Sequence, residues 1–234
     1  FDEEETASQV REFASVDEWD TGTLLKFEKE VVGEYLTGHP LDAYGPAWRA
    51  LATEDARATG IVSDKDATDE GVLAADKTVI MGGVILDVSW KRSKRGTDYG
   101  IVRIEDYYGV SEIILWQEAV HTYKNTLHED EVWFFQGHLR TSYGRRSLSV
   151  QRAAAAEDAL AQWPHKVHLS VQPAGSADTL ERIKEVLTLH AGSIPVIVEI
   201  HSEPEISRVR LPDTVALDVS VTSLQALEEC EGVK

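Results

Sequence analysis

The sequence predicts a mostly β protein with a helical lead-in and a small α+β tail. Three observations support this fold class. Apolar residues recur at helical spacing across residues 21–36, and the pattern changes to the strand period of two from residue 79 to residue 153. Helical and strand patterns then alternate after residue 166. The predicted domains are 1–76, 77–156 and 157–234.

The lead-in is predicted to contain an acidic start, two helices and a linker. Residues 21–36 have the spacing of an amphipathic helix, with Thr21 or Thr23 as its cap. We expect this helix to end at Gly38-His39-Pro40, because glycine takes a left-handed conformation and proline cannot continue a helix. A second helix is expected within residues 41–60, around Trp48, and residues 61–76 are expected to form an acidic spacer.

The central region is predicted to be a five-stranded barrel. A short helix, 117–127, separates the third strand from the fourth. Three strands, one helix and two strands is the order of an OB fold, although a plain β-meander with a helical insert has the same order. The predicted strands are 79–88, 99–106, 111–116, 130–140 and 146–153.

The tail is predicted to be a separate α+β domain. A helix with a serine cap and a following glycine is expected at 176–192, and a capped closing helix at 221–232. The predicted strands are 166–172, 193–201, 208–212 and 215–220.

Composition limits the function classes. The 234 residues carry a net charge of −18, but residues 81–152 hold 10 basic and 9 acidic residues, whereas residues 1–80 hold 7 and 19. Only the barrel region therefore lacks an acidic excess. No apolar run of membrane-spanning length occurs, and one cysteine cannot form an internal disulfide, so we expect a cytoplasmic protein. The chain begins with Phe1, and we interpret it as a fragment of a longer protein.

No self-contained active site is visible. The eight histidines are scattered without zinc-ligand spacing, and neither a phosphate-binding loop nor a nucleophile elbow occurs. We expect no metal, no cofactor and no enzymatic activity from this chain alone. The acidic pair Glu105-Asp106 is expected to hold a turn at the end of the second strand.

The barrel carries two basic turns that suit a nucleic acid. One lies between the first and second strands and the other between the fourth and fifth, and in an OB barrel both border one groove. The second strand should expose Tyr99, Ile101 and Arg103 if Val102 and Ile104 point into the core. Bases can stack on the tyrosines while the cations neutralise phosphates. The candidate single-stranded DNA-binding residues are Lys91, Arg92, Lys94, Arg95, Tyr99, Arg103, Arg140, Tyr143, Arg145 and Arg146.

Other aromatic residues are expected to be structural. Trp116 should pack on the helix that follows it, and at least one residue of Trp133-Phe134-Phe135 should lie in the core.

Residues 24–44, LLKFEKEVVGEYLTGHPLDAY, resemble the segment that precedes the OB domain in the bacterial DNA polymerase III alpha subunit, a replicative C-family polymerase. The resemblance continues through the Lys94-Arg95-Gly96 turn, the Glu105-Asp106 strand end and the stretch EDEVWFFQGHL. It extends into LTLHAGSIPVIVEI, which resembles the family's C-terminal domain.

This resemblance implies the following roles. The OB domain would lie near the single-stranded template, and the C-terminal domain would contact the tau subunit of the clamp loader. A sliding-clamp motif would lie mostly upstream of Phe1. The family's catalytic domain is not contained in this chain, so the fragment itself should not polymerise DNA, although its parent chain would.

Two alternatives stay open at this stage. The barrel could have lost DNA binding and serve protein contacts only, which the net charge of −18 favours. It could also resemble the anticodon-binding OB domain of a class II tRNA synthetase, but the tail shows no synthetase motif.

Overall fold

The computed structural model describes residues 18–61, 78–142, 144–172, 177–202 and 205–233. Two compact units divide the chain, one ending at Pro40 and the other beginning at Leu41. None of the helices in the described ranges is long and apolar enough to cross a membrane.

The first unit contains helix α1, Thr21–Val32. Its cap is Asp20, whose carboxylate accepts a hydrogen bond from the backbone N–H of Thr23 at 3.0 Å, so the predicted threonine caps were wrong. The helix ends at Gly33, which has a φ of +88°, and not at Gly38-His39-Pro40 as predicted. A glycine in the left-handed region ends a helix without the steric strain of a Cβ atom, and Gly33 offers this position before the proline is reached.

The second unit contains ten strands and five α-helices among its described residues. Short 3₁₀ helices occur at Pro40–Tyr44 and Ala56–Ala58. The strands are β1 Gly60–Ile61, β2 Thr78–Arg92, β3 Asp98–Asp106, β4 Gly109–Trp116, β5 Val132–Ser142, β6 Arg145–Ala155, β7 Val167–Val171, β8 Ala191–Ser202, β9 Glu205–Arg210 and β10 Ala216–Leu217. The helices are α2 Gly45–Leu51, α3 Gln117–Tyr123, α4 Ala156–Gln162, α5 Ala177–Leu189 and α6 Val221–Glu228.

Strands β2 to β6 close into a barrel. β2 pairs with β3, β3 with β4, β4 with β6 in parallel, β6 with β5, and β5 returns to β2. Helix α3 follows the third barrel strand, as the sequence predicted. This connectivity is that of an OB fold, which confirms the predicted fold class and excludes an open meander.

Strand β2 closes the barrel because it pairs on both sides. Its first half, Thr78 to Val84, pairs with β5, and its second half, from Val84 onward, pairs with β3. A bulge between Ile85 and Asp87 bends the strand between these two partners. Gly83 sits at the crossing, where a Cβ atom would lie 2.5 Å from the carbonyl oxygen of Glu105. Only a glycine allows this approach.

The barrel interior is one apolar core. The side chains of Met81, Ile85, Val102, Ile113 and Phe135 are fully buried. Helix α3 covers one end of the barrel with Ala119 and Val120. Alternate side chains of a strand point to opposite faces, so the apolar period of two in the sequence predicts that one side of each strand faces this core.

A second apolar core joins the tail to the barrel. Strand β8 is central to a small sheet, with β7 parallel to it and β9 and β10 antiparallel to it. Buried residues from α2, α4, α5, α6 and this sheet surround Phe134, which points out of the barrel and is 0% exposed. The domain boundaries after residues 76 and 156 stay predictions. Helix α4 connects the barrel to the tail and was not predicted.

Candidate nucleic-acid interface

One outer face of the barrel carries most of the candidate residues. Val102 and Ile104 are buried in the core, so Tyr99, Ile101 and Arg103 point outward from β3, as predicted. The neighbouring strands β2 and β4 pair with β3 along its whole length. The outward residues of the three strands therefore form rows across the sheet, which we call the outer face.

The first row is aromatic and basic. Tyr99 pairs with Lys91 on one side and with Trp116 on the other. The rings of Tyr99 and Trp116 stack, with centroids 5.3 Å apart and planes inclined by 30°. Trp116 is 46% exposed, so part of its ring faces solvent. We call these three residues the aromatic row.

Trp116 corrects the sequence-based expectation. Its ring is partly exposed on the outer face and stacks on Tyr99, whereas the expectation placed it against the following helix. The alternation of β4 carries the relevant signal, because Ile113 and Leu115 point inward and Trp116 must then point outward. The expectation for residues 133–135 was correct, since all three side chains are buried.

The second row consists of Ser89, Ile101 and Ile114. The third row, on the far side of it from the aromatic row, is ionic. Arg103 pairs across the sheet with Asp87 and Glu112. Its Nη1 lies 3.2 Å from Oδ2 of Asp87. Nη2 of Arg145, on β6, lies 3.5 Å from Oε1 of Glu112. We call these four residues the ionic row, and it alternates acid and base across four strands.

The β2–β3 hairpin borders the aromatic end of the outer face. Arg92 supports the turn itself, because its Nε donates to the carbonyl oxygen of Gly96 at 3.1 Å and lies 3.3 Å from the carboxylate of Asp98. Lys94 and Arg95 occupy the exposed tip. Within the described residues, Lys91, Lys94 and Arg95 form no ion pair, so their charges are available to an anionic ligand.

The second basic cluster lies on β5 and β6, next to the three strands of the outer face. Arg140 and Arg145 are exposed, and Arg140 pairs with Ser147 across β5 and β6. Arg146 is next to Arg145 on the extended strand β6, so its side chain points to the opposite side of the strand. Tyr143 lies outside the described residues. The structure thus places Lys91, Tyr99 and Arg103 on the outer face and brings Arg145 to its edge through Glu112, whereas Arg140 lies on β5, outside this face.

The aromatic row and the ionic row lie at two positions along β3. Tyr99 and Arg103 are four residues apart along β3, which corresponds to about 13 Å at the strand rise. A chain crossing from the hairpin tip to Arg145 would pass the aromatic row first and the ionic row last.

Asp106 closes the turn after β3, as the sequence indicated. One carboxylate oxygen accepts the backbone N–H of Ala56 at 2.8 Å, and the other accepts those of Tyr108 and Gly109. Burial raises the pKa of Asp106, while these hydrogen bonds act in the opposite direction.

In the described part of the chain, no group of three acidic, histidine or cysteine side chains is arranged to hold a metal ion.

Comparison with known proteins gives sequence relatives along nearly the whole chain. The DNA polymerase III subunit alpha of Pseudomonas fluorescens is 27% identical over 211 residues, which cover 89% of this chain and 17% of the relative. That of Bacillus subtilis (strain 168) is 24% identical over 232 residues, which cover 99% of this chain and 20% of the relative. The chain is similar in sequence to the DNA polymerase III alpha subunit. The resemblance stated from residues 24–44 onward is therefore confirmed, and the chain spans about a fifth of these relatives' length.

No protein-family model matches the chain. Among solved structures, the single-stranded DNA-binding protein from Thermus aquaticus matches with a TM-score of 0.30 and 16% identity, covering 33% of this chain and 39% of that one. The SSB domain of a Synechococcus protein matches with a TM-score of 0.31 and 11% identity, covering 32% of this chain and 91% of that one.

Proposed function

We propose that the barrel binds single-stranded DNA on its outer face, as part of a replicative DNA polymerase. The observation that carries the proposal is the aromatic row. A stacked, partly exposed aromatic pair next to Lys91 offers a platform for bases and a cation for phosphate. Lys94 and Arg95 at the hairpin tip, which form no ion pair within the described residues, add two positive charges near this platform.

The proposed ligand path runs across β2, β3 and β4. Bases stack on Tyr99 and Trp116. They also contact Ile101 and Ile114 in the row beside these rings. Phosphates are neutralised by Lys91 and the hairpin tip, and by Arg140 on β5, outside the face. Arg146 is left out of the proposed site, because alternation along β6 turns its side chain away from that of Arg145. Arg92 contributes by holding the hairpin in shape.

A salt titration of binding to fluorescent oligo-dT tests this proposal. Fluorescence anisotropy should show binding that weakens with salt, and the logarithm of the association constant should fall against the logarithm of salt concentration with a slope of about −0.7 for each phosphate neutralised on a single strand. Lys94→Glu with Arg95→Glu should weaken binding and reduce the slope by about 1.4. The matched control is Arg182→Glu with Lys184→Glu, which reverses two exposed cations of α5 in the tail. Binding without salt dependence, or equal effects of both variants, would contradict the proposal.

The second candidate function is a protein-contact module without DNA binding. Two observations favour it: the net charge is −18, and the arginines of the ionic row are matched by carboxylates. The same titration separates the candidates, because this one requires that oligo-dT fails to bind at low salt.

We propose that the tail contacts the tau subunit of the clamp loader and thereby contributes to processive replication. The support is the resemblance to the alpha subunit's C-terminal domain. Because the tail shares an apolar core with the barrel, the intact chain should be tested. Lysine cross-linking with tau should label Lys166 and Lys184 of the tail. Cross-links confined to Lys91, Lys94 and Lys124 of the barrel region would contradict this assignment.

The remaining roles also follow from the family resemblance. The parent chain is proposed to be a cytoplasmic DNA-directed DNA polymerase, whereas the fragment does not polymerise DNA. A primer-extension assay of the fragment should give no product. The sliding clamp is also proposed as a partner, through a motif that lies mostly upstream of Phe1.

A further inference from the structure

The ionic row raises a question that the binding proposal does not answer. The centre of a DNA-binding face usually presents net positive charge, because phosphates supply most of the affinity. Here Arg103 and Arg145 each lie within 3.5 Å of a carboxylate, and both pairs are partly exposed to solvent. Their carboxylate partners therefore compete directly with any phosphate that approaches.

The carboxylates nearly cancel the charge of this part of the face. Asp87 and Glu112 match the two arginines one for one. The cations without an ion pair, Lys91 and the hairpin tip, lie beside the aromatic row instead. The face is thus cationic where bases can stack and close to neutral further along β3.

Single-stranded and double-stranded DNA should interact differently with these charges and rings. A single strand is flexible and exposes its base faces, so it can stack on Tyr99 and Trp116 and keep its phosphates near the free cations. A duplex is stiff, carries about one charge per 1.7 Å of its axis and hides its base faces in the stack. It gains nothing from the aromatic row and cannot avoid the carboxylates of the ionic row.

We propose that Asp87 and Glu112 are specificity residues that make the outer face select single-stranded over double-stranded DNA. They act by neutralising Arg103 and Arg145, which leaves a dense phosphate array without available cations on this part of the face. This inference rests on the proposed DNA binding and adds the selectivity of the same site.

The test compares two ligands on the intact chain. Anisotropy titrations with a dT 15-mer and with a 15-base-pair duplex are made for the wild type and for Asp87→Asn with Glu112→Gln. The double variant should bind the duplex about tenfold more tightly and dT at most about threefold more tightly. Its salt slope for the duplex should become steeper by about 1.8, because two arginines become free to replace counterions.

The charge-matched control is Glu181→Gln with Glu185→Gln, two exposed acids on α5. It removes the same number of charges away from the outer face and should leave the ratio of the two affinities unchanged. Thermal melting checks that each variant is folded, and all four substitutions are on the surface.

Three outcomes would be informative. If the wild type binds dT but the affinity ratio does not change in the double variant, the selectivity proposal is overturned and the binding proposal stands. If the wild type fails to bind dT, the binding proposal itself fails. Asp87→Asn should also lose most of its effect on duplex affinity in an Arg103→Gln background, and a full effect there would overturn the role assigned to the ion pair.

Discussion

Replacing Trp116 by alanine tests the aromatic row directly. The side chain is 46% exposed and stacks on Tyr99, and it belongs to neither apolar core. Loss of one stacking partner for a base costs about 1–3 kcal/mol by alanine substitution. Because Tyr99 still offers a ring, we expect the lower half of this range, which is roughly a five- to thirtyfold rise in Kd for oligo-dT.

The same substitution should change stability only slightly. A cross-strand aromatic pair contributes about 0.2–1 kcal/mol, so Tm should fall by no more than about 4 °C for a chain of this size. The salt slope of DNA binding should stay unchanged, because no charge is removed. A larger loss of Tm would mean that Trp116 is structural.

The assay is anisotropy with oligo-dT at fixed low salt. Trp116→Phe keeps an aromatic face and should bind within about threefold of the wild type. Tyr108→Ala removes another exposed aromatic, in the β3–β4 turn away from the outer face, and should have no effect. If Trp116→Ala binds as tightly as Tyr108→Ala, base stacking at this position is refuted.

Two further predictions concern stability. Phe134→Ala should lower the free energy of unfolding by about 3–5 kcal/mol, because it leaves a cavity in the core shared by barrel and tail. Urea unfolding measures this change. A loss below about 1 kcal/mol would mean that the shared core does not stabilise the chain. The hydroxyl of Tyr44 donates to Glu157 at 2.6 Å, and this bond raises the pKa of Tyr44 to about 12. Tyr44 ionises at a lower pH in the unfolded state than in the folded state, so this stabilisation is present below pH 10 and is lost between about pH 10 and 12. The Tm of Tyr44→Phe should therefore fall less steeply than that of the wild type in this window. Parallel curves of Tm against pH for the two proteins would exclude the bond.

The barrel could be predicted from sequence because its determinants are local. Strict alternation across β3 placed Val102 inside and Arg103 outside, and helix α3 between β4 and β5 indicated the OB order. The end of α1 was missed because two glycine-containing turns follow it closely, and the left-handed position is taken by Gly33. A conformational preference of this kind does not separate Gly33 from Gly38.

The candidate site depended on pairings between distant residues. The sequence gives the identity of Trp116 but not its partner Tyr99, which strand register supplies. The contacts of Arg145 with Glu112 and of Arg103 with Asp87 likewise require the closed barrel. A list of basic residues therefore overestimated the free positive charge, because ion pairing is a tertiary property.

Amide chemical-shift mapping tests the central claim most directly. A uniformly ¹⁵N-labelled sample of the chain is titrated with a dT oligonucleotide at low salt. The account predicts that shifts concentrate on β2, β3 and β4 around Lys91, Tyr99 and Trp116, with further shifts in the hairpin tip. Shifts confined to the tail sheet around β8, or no shifts at saturating oligonucleotide, would contradict it.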